Sequence, residues 1–148
     1  MGICYITRKE HFNAAHRLYV NNWTDEQNYE VFGKCANKNG HGHNFTLYVT
    51  VKGSPDPITG FIIDLKVLSA LIQEKIIDKL DHNNLNMDVD FLKGIMPSIE
   101  NIVQAIWQQL EPHIKGCKLH CIKLIETENN FVEYYGEDSR QSSVISHQ

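Results

Sequence analysis

Only four of the 148 residues are cysteine, at positions 4, 35, 117 and 121, and no two of them form a CxxC pair. That spacing excludes a secreted disulfide framework and fits a reducing cytosol, so a cytoplasmic location is expected. No apolar run approaches the ~20 residues needed to cross a membrane. Met1-Gly2-Ile3-Cys4 does not begin a signal peptide, and Ile6 stands where myristoylation favours Ser or Thr. Basic residues are not in excess: 14 Lys and Arg against 18 Asp and Glu give a formal charge of −4. Without a basic stripe to displace counterions, neither nucleic acid nor a membrane surface is an expected partner. Internal repeats and linkers are absent too. A chain of this size buries roughly 68–70% of its unfolded surface, so it folds as one domain without a disulfide or structural metal. That domain is expected over residues 1–136, with 137–148 a polar, Ser-rich, mobile tail.

What is present concentrates in one stretch, Cys35-Ala36-Asn37-Lys38-Asn39-Gly40-His41-Gly42-His43, which runs into Asn44-Phe45-Thr46-Leu47-Tyr48-Val49. From Phe45 onward apolar and polar residues alternate, the period of a half-buried strand. His41 and His43 therefore share a face with Phe45, Leu47 and Val49, with Cα atoms roughly 6.6 Å apart. Imidazoles at that separation can reach one ion through metal–nitrogen bonds of about 2.0–2.1 Å. Gly40 and Gly42 leave room for the backbone to turn and for a ligand to approach.

Around this stretch the chain reads as β-β-α-α-β-β. Cys4 to His16 is a first strand whose Arg8-Lys9-Glu10 interrupts the apolar pattern, as a bulge or wet edge would. Leu18 to Lys34 reads as a loop with a helical turn near Asp25 to Tyr29. Gly53-Ser54-Pro55-Asp56-Pro57 closes the second strand. Asp64 caps a helix expected to reach Leu80, with Leu65, Leu68, Ile72, Ile76 and Leu80 as its apolar stripe. Ser98 caps a second helix with Ile99, Ile102, Val103, Ile106 and Leu110 inward, and Pro112 stops it. Lys118 to Glu126 and Phe131 to Tyr135 form a closing hairpin. The expected architecture is α+β: a four-stranded antiparallel sheet with both helices on one face. Its other face and its edges are left free for oligomerisation.

Three neutral imidazoles with one open position make a catalytic zinc arrangement. The first candidates for the third imidazole are His11 and His16, of which strand parity allows only one on the face of His41 and His43; His113 and His120 are later alternatives. A rival group, His113, Cys117, His120 and Cys121, matches no standard zinc spacing. Cys35 has three readings: a fourth ligand, a buried inert thiol, or a reactive thiolate favoured by nearby positive charge. Asp81-His82 is a solvated helix exit or an acid–base pair whose imidazole is oriented by the carboxylate. Glu126 shares a face with Ile122 and Leu124, and a buried carboxylate there suits a heterocycle that offers two N–H groups.

Together, Cys35 ahead of His41-Gly42-His43, Asp81-His82, Pro97-Ser98-Ile99-Glu100-Asn101 and Ile125-Glu126-Thr127 resemble the 6-pyruvoyltetrahydropterin synthase family. The resemblance runs from about Phe12 to Gly136. It implies the tunnelling fold (T-fold), with subunits forming trimeric barrels that pair into a homohexamer and active sites between subunits. It implies one zinc per subunit held by His16, His41 and His43, so that Phe12-Asn13-Ala14-Ala15-His16-Arg17 selects His16 over His11. Magnesium is a further candidate alongside a triphosphate. By the same resemblance Cys35 is the proton acceptor, Asp81 and His82 are a relay pair, and Glu126 grips the pterin ring, assisted by Thr127, Ser98 and Glu100. The implied reaction converts 7,8-dihydroneopterin triphosphate to 6-pyruvoyltetrahydropterin in tetrahydrobiopterin biosynthesis. In the sister 6-carboxytetrahydropterin synthases of queuosine biosynthesis the thiol and the first histidine of the pair are usually closer than the six-residue step here. A non-catalytic zinc module with Cys35 as fourth ligand is the alternative from another class. Ile99 departs from the small hydroxyl residue of many relatives. Arg8 and Lys9 are also unusual, and with Lys34, Lys38 or Arg17 they are candidates to meet the triphosphate.

Overall fold

The alternating pattern of the first strand dictates which way every later element faces. In a computed structural model, which describes residues 2–139, β1 (Cys4–His16) turns its even-numbered positions from Ile6 onward toward the helices, half-buried at first and fully buried at Phe12, Ala14 and His16. β2 (His41–Gly53) pairs with it antiparallel, and His16 lies opposite His41 while Ala14 lies opposite His43. Parity places Phe45, Leu47, Val49 and Val51 on the same buried face as the two histidines. The pairing runs without interruption from Cys4–Gly53 to His16–His41, so of the bulge or wet edge expected at Arg8-Lys9-Glu10 it is the edge that forms: β3 pairs with β1 only at Ala14 and Ala15. Arg8 is accommodated by a 2.8 Å ion pair to Glu10, which also accepts a hydrogen bond from Ser69. Two neighbouring side chains of opposite charge on one strand face relieve the interruption that the apolar pattern shows.

The sheet has five strands, not four, in the order β3-β1-β2-β4-β5. β4 (Lys118–Thr127) and β5 (Asn130–Tyr134) extend it antiparallel, whereas the extra strand β3 (Asn83–Asn84) runs parallel to β1. Two residues carry no readable periodicity, and β3 exists because Leu85 N–H bonds the Ala15 carbonyl at 2.8 Å.

The segment read as a loop contains α1 (Asp25–Phe32), started by a capping box in which Thr24 and Gln27 exchange hydrogen bonds. The helical turn expected near Asp25 to Tyr29 is thus the start of this helix; Thr-x-x-Gln is the signal for its first residue, and the lack of an apolar stripe hides how far it runs. α2 (Leu65–Ile72), capped by Asp64, continues through a π turn at Gln73–Ile77 into α3 (Asp78–Leu80). The wider turn brings Ile76 and Ile77 inward together, while Leu65, expected in the stripe, stays exposed. α4 (Ile99–Leu110) is capped by Ser98 and buries Ile102, Val103, Ile106 and Leu110 as its spacing dictates. α2, α3 and α4 cover one face of the sheet, and α1 packs on the turn that follows it. The opposite face carries Thr7, Lys9, His11, Thr46 and Tyr48, exposed or half-buried. Of the expected tail, residues 140–148 lie outside the described residues.

Gly40 fixes the end of the β1–β2 pair. Its φ is +70°, and a Cβ built there would sit 2.9 Å from the His16 carbonyl oxygen. Gly40→Ala is expected to cost about 1–2 kcal/mol for the left-handed backbone alone. Urea denaturation checks the stability loss, and metal titration should show weaker binding because His16 and His41 are pushed apart.

Candidate active site

Three imidazoles meet where β1 ends and β2 begins. Their ligand atoms all lie within 4.8 Å of one another, and the ring centroids of the three pairs are 4.6, 5.3 and 4.8 Å apart. Each ring presents one buried nitrogen with no hydrogen-bond partner: Nε2 of His16, Nδ1 of His41 and Nε2 of His43. A buried polar atom left unpaired costs about 1–3 kcal/mol. Three of them aimed at one point are the donor set of a metal ion. His16 is 1% exposed, and its Nδ1 bonds the Pro97 carbonyl at 2.8 Å. That carbonyl can only accept, so Nδ1 carries the proton and Nε2 keeps its lone pair for a metal.

Burial lowers the proton affinity of all three rings, chiefly by desolvation; neighbouring imidazoles add to this and Glu126 opposes it. With their pKa values below 6.5, the rings are neutral at pH 7 and need release no proton to bind a metal. The affinity is therefore expected to be flat above pH 6.5 and to fall as acid protonates the rings below it. Competitive zinc titration across pH 5–8 measures this, and a steady rise between pH 7 and 8 would contradict it.

The Glu126 carboxylate lies against this cluster, with oxygens 3.6 Å from His16 Nε2 and 3.9 Å from His43 Nε2. It also borders a cavity of about 620 Å³ walled by Ser98, Ile99, Glu100, Asn130 and Phe131. The sequence reading joined Glu126, Ser98 and Glu100, and the fold does bring these three to one cavity. The Ser98 hydroxyl accepts from Asn101 N–H as the helix cap, and the Thr127 hydroxyl accepts from Asn129 N–H within the β4–β5 turn. Thr127 does not border that cavity.

Asp81 and His82 stand at the exit of α3. Asp81 accepts the Asn13 backbone N–H at 2.8 Å and contacts His82 Nδ1 at 2.9 Å. The Asn13 amide, more than His82, holds the Asp81 carboxyl below the usual carboxylate range. Among the described residues His82 is the one non-glycine with positive φ, at 62°, held there by its N–H on the Asn13 carbonyl. Its side chain is 78% exposed and borders a second cavity, of about 590 Å³, with His43, Asn44 and Asp88. The predicted residues are thus divided: His82 opens on one cavity and Glu126 on the other.

Cys35 lies half-buried in a 3₁₀ turn, Gly33–Ala36, and borders neither cavity. Among the described residues the one converging ligand group is the three histidines, so Cys35 is outside it. His113, Cys117, His120 and Cys121 do not converge either; the His120 ring packs against Tyr5 and Tyr135 instead. His11 points to the opposite sheet face and is exposed. The Pro97 carbonyl and the Asn13 amide escaped the sequence reading because backbone groups leave no trace in residue type. The pair Asn83-Asn84 directly after His82 is a visible signal for the wall of the second cavity.

Fold and site together define an α+β protein of the three-histidine metal-site class, with helices on one sheet face and the histidines at one end of the sheet. The family model for 6-pyruvoyl tetrahydropterin synthase matches residues 5–137. A 6-pyruvoyl tetrahydrobiopterin synthase of Dictyostelium discoideum is 45% identical over 132 residues, covering 89% of this chain and 96% of that one. The solved structure of the Caenorhabditis elegans 6-pyruvoyl tetrahydropterin synthase superposes with a TM-score of 0.86 at 36% identity, covering 93% of this chain and 98% of that chain. A 6-carboxy-5,6,7,8-tetrahydropterin synthase of Bacillus subtilis is more distant, at 24% identity over 136 residues, covering 87% of this chain and 83% of that one. The chain belongs to the 6-pyruvoyl tetrahydropterin synthase family, and its fold is the T-fold.

Proposed function

We propose that this chain is a zinc-dependent 6-pyruvoyltetrahydropterin synthase of tetrahydrobiopterin biosynthesis. On this reading it converts 7,8-dihydroneopterin triphosphate to 6-pyruvoyltetrahydropterin and releases triphosphate. The observation that carries the reading is the set of three orphaned nitrogens, which fit a zinc ion, beside a cavity bordered by a carboxylate. His16, His41 and His43 hold the zinc, and when bound it supplies Lewis acidity toward the oxygens of the substrate side chain.

The chain's own residues do the rest. Glu126 accepts the paired N–H groups of the pterin ring, for which its carboxylate turns from the histidines into the cavity it borders. Cys35 takes the proton from a side-chain carbon. Asp81, kept ionised by the Asn13 amide, orients the His82 imidazole, which moves a proton between substrate and solvent. Magnesium accompanies the triphosphate. Arg8 is poorly placed to meet that group from within the same chain: it is paired to Glu10, and eight strand residues put it roughly 26 Å from His16. A charge-removing Arg8 variant with an unchanged KM would discard it as a phosphate ligand.

Assembly as a homohexamer of two trimeric barrels follows from the same reading, in a cytoplasmic enzyme of one domain over residues 1–136. The uncovered sheet face, the long outer edge of β1 before Ala14 and the outer edge of β5 support association. So does the division of the functional side chains between two cavities, which a neighbouring copy would reunite. The deciding experiment combines purified protein, zinc and dihydroneopterin triphosphate. Release of triphosphate together with 6-pyruvoyltetrahydropterin upholds the reading. Acetaldehyde release would assign the 6-carboxy reaction instead, and tightly bound zinc without turnover would leave a structural module.

A further inference from the structure

The residue that follows the first histidine makes more contacts than a strand end requires. Arg17 donates from Nε to the Ala36 carbonyl at 2.9 Å, one residue beyond Cys35. Its guanidinium lies 3.9 Å over the Tyr19 ring, which fixes the plane of the fork. Next to it, Leu18 N–H bonds the Cys35 carbonyl at 2.8 Å. The Arg17 peptide is itself clamped on both sides: Asn86 Oδ1 accepts its N–H at 2.7 Å, and Asn86 Nδ2 donates to its carbonyl at 2.8 Å. Asn86 in turn belongs to the turn after His82, where its own N–H bonds Asn84 Oδ1 at 2.9 Å.

Three separate segments therefore converge on Arg17: the metal-binding end of β1, the Cys35 turn and the loop that follows the Asp81-His82 pair. The 3₁₀ turn that carries Cys35 has no side-chain cap, and its N-terminal glycine has φ +58°. A four-residue turn of this kind has little internal stability, so its position is set by what holds it from outside. We propose that Arg17 is a positioning residue that fixes the Cys35 turn relative to the three histidines, with Asn86 holding Arg17 in place. The proposal rests on the reading of Cys35 as the proton acceptor, and it gives a mechanical reason for an arginine directly after His16. Arg17 acts here through the planar Nε–H and the flat guanidinium that lies over Tyr19, neither of which a lysine ammonium reproduces.

Arg17→Ala and Arg17→Lys test this together. Lysine keeps the cation but lacks the planar fork, so a strut role predicts that both variants behave alike. Both should lose turnover by about 10²-fold, the cost of misplacing a reacting group by about an ångström. KM should stay within about twofold, because the lost contact does not touch substrate, and the zinc bound per chain should not change. Hydrogen exchange gives a readout without substrate: the Leu18 and Asn37 amides, which bond the Cys35 and Lys34 carbonyls, should exchange faster in both variants, zinc-free or loaded. If Arg17→Ala does not fold, Arg17→Lys carries the test alone. Full activity in Arg17→Lys, a raised KM with unchanged kcat, zinc loss in step with turnover, or unchanged exchange would each overturn the proposal. Should the wild-type protein fail to turn over dihydroneopterin triphosphate, the synthase reading falls while the exchange measurement still decides the strut.

Discussion

Replacing His43 with alanine is expected to abolish tight zinc binding while leaving the zinc-free protein no less stable. Removing a group that only orients a ligand typically costs 10–100-fold in metal affinity, so loss of a ligand itself should exceed about 100-fold. The unusual half of the expectation concerns the apo protein. His43 Nε2 is buried without a hydrogen-bond partner, so its removal relieves a desolvation penalty as it opens a small void. In wild type, zinc at 100 times its dissociation constant adds about 2.7 kcal/mol, a rise of about 5–10 °C in Tm for a domain of this size. Calorimetry with and without zinc checks both halves. The variant should show no zinc-dependent rise, and its zinc-free Tm should match or exceed that of zinc-free wild type. A large drop in the zinc-free Tm would mean that His43 serves packing first.

Cys35→Ala separates a proton acceptor from a ligand. Cys35 stands outside the converging group, so its loss should leave zinc stoichiometry and affinity as in wild type. Turnover of dihydroneopterin triphosphate should fall by about 10²–10⁴-fold, the range for a positioned acid–base group. KM should change little, since a proton acceptor contributes to the transition state more than to substrate binding. Steady-state kinetics with metal analysis on the same preparation read all three quantities. Zinc lost in proportion to activity would make the thiol a ligand after all.

Where side-chain period carried the information, the sequence was sufficient. The alternation from Phe45 to Val49 gave β2 its buried face, and parity then placed His41 and His43 on it; the structure agrees position by position. Parity alone left His11 and His16 open, and the resemblance of Phe12 to Arg17 selected the one that the fold buries opposite His41. Asp64, Ser98 and Pro112 marked helix ends correctly because capping and proline sterics are local. Elements defined by tertiary partners were not readable. β3 is two residues long and owes its existence to the Ala15 carbonyl. The π turn after Ile72 inserts itself into a pattern that still reads as helical, because Ile72, Ile76 and Leu80 remain buried. At the site the backbone partners were silent: nothing in the residue types says that Pro97 would fix the tautomer of His16 or that Asn13 would keep Asp81 ionised. The strand pattern put Glu126 on the face of Ile122 and Leu124, but its approach to the histidine nitrogens, beside the register shift between Ile125 and Thr127, was not readable.

X-ray absorption at the zinc edge of the loaded protein tests the central claim most directly. Three imidazoles as the protein's ligands predict a first shell of nitrogen and oxygen scatterers at about 2.0–2.1 Å, with no sulfur, and a spectrum unchanged by Cys35→Ala. A sulfur scatterer at about 2.3 Å that disappears in Cys35→Ala would contradict it, closing the metal site with the thiol proposed as the proton acceptor.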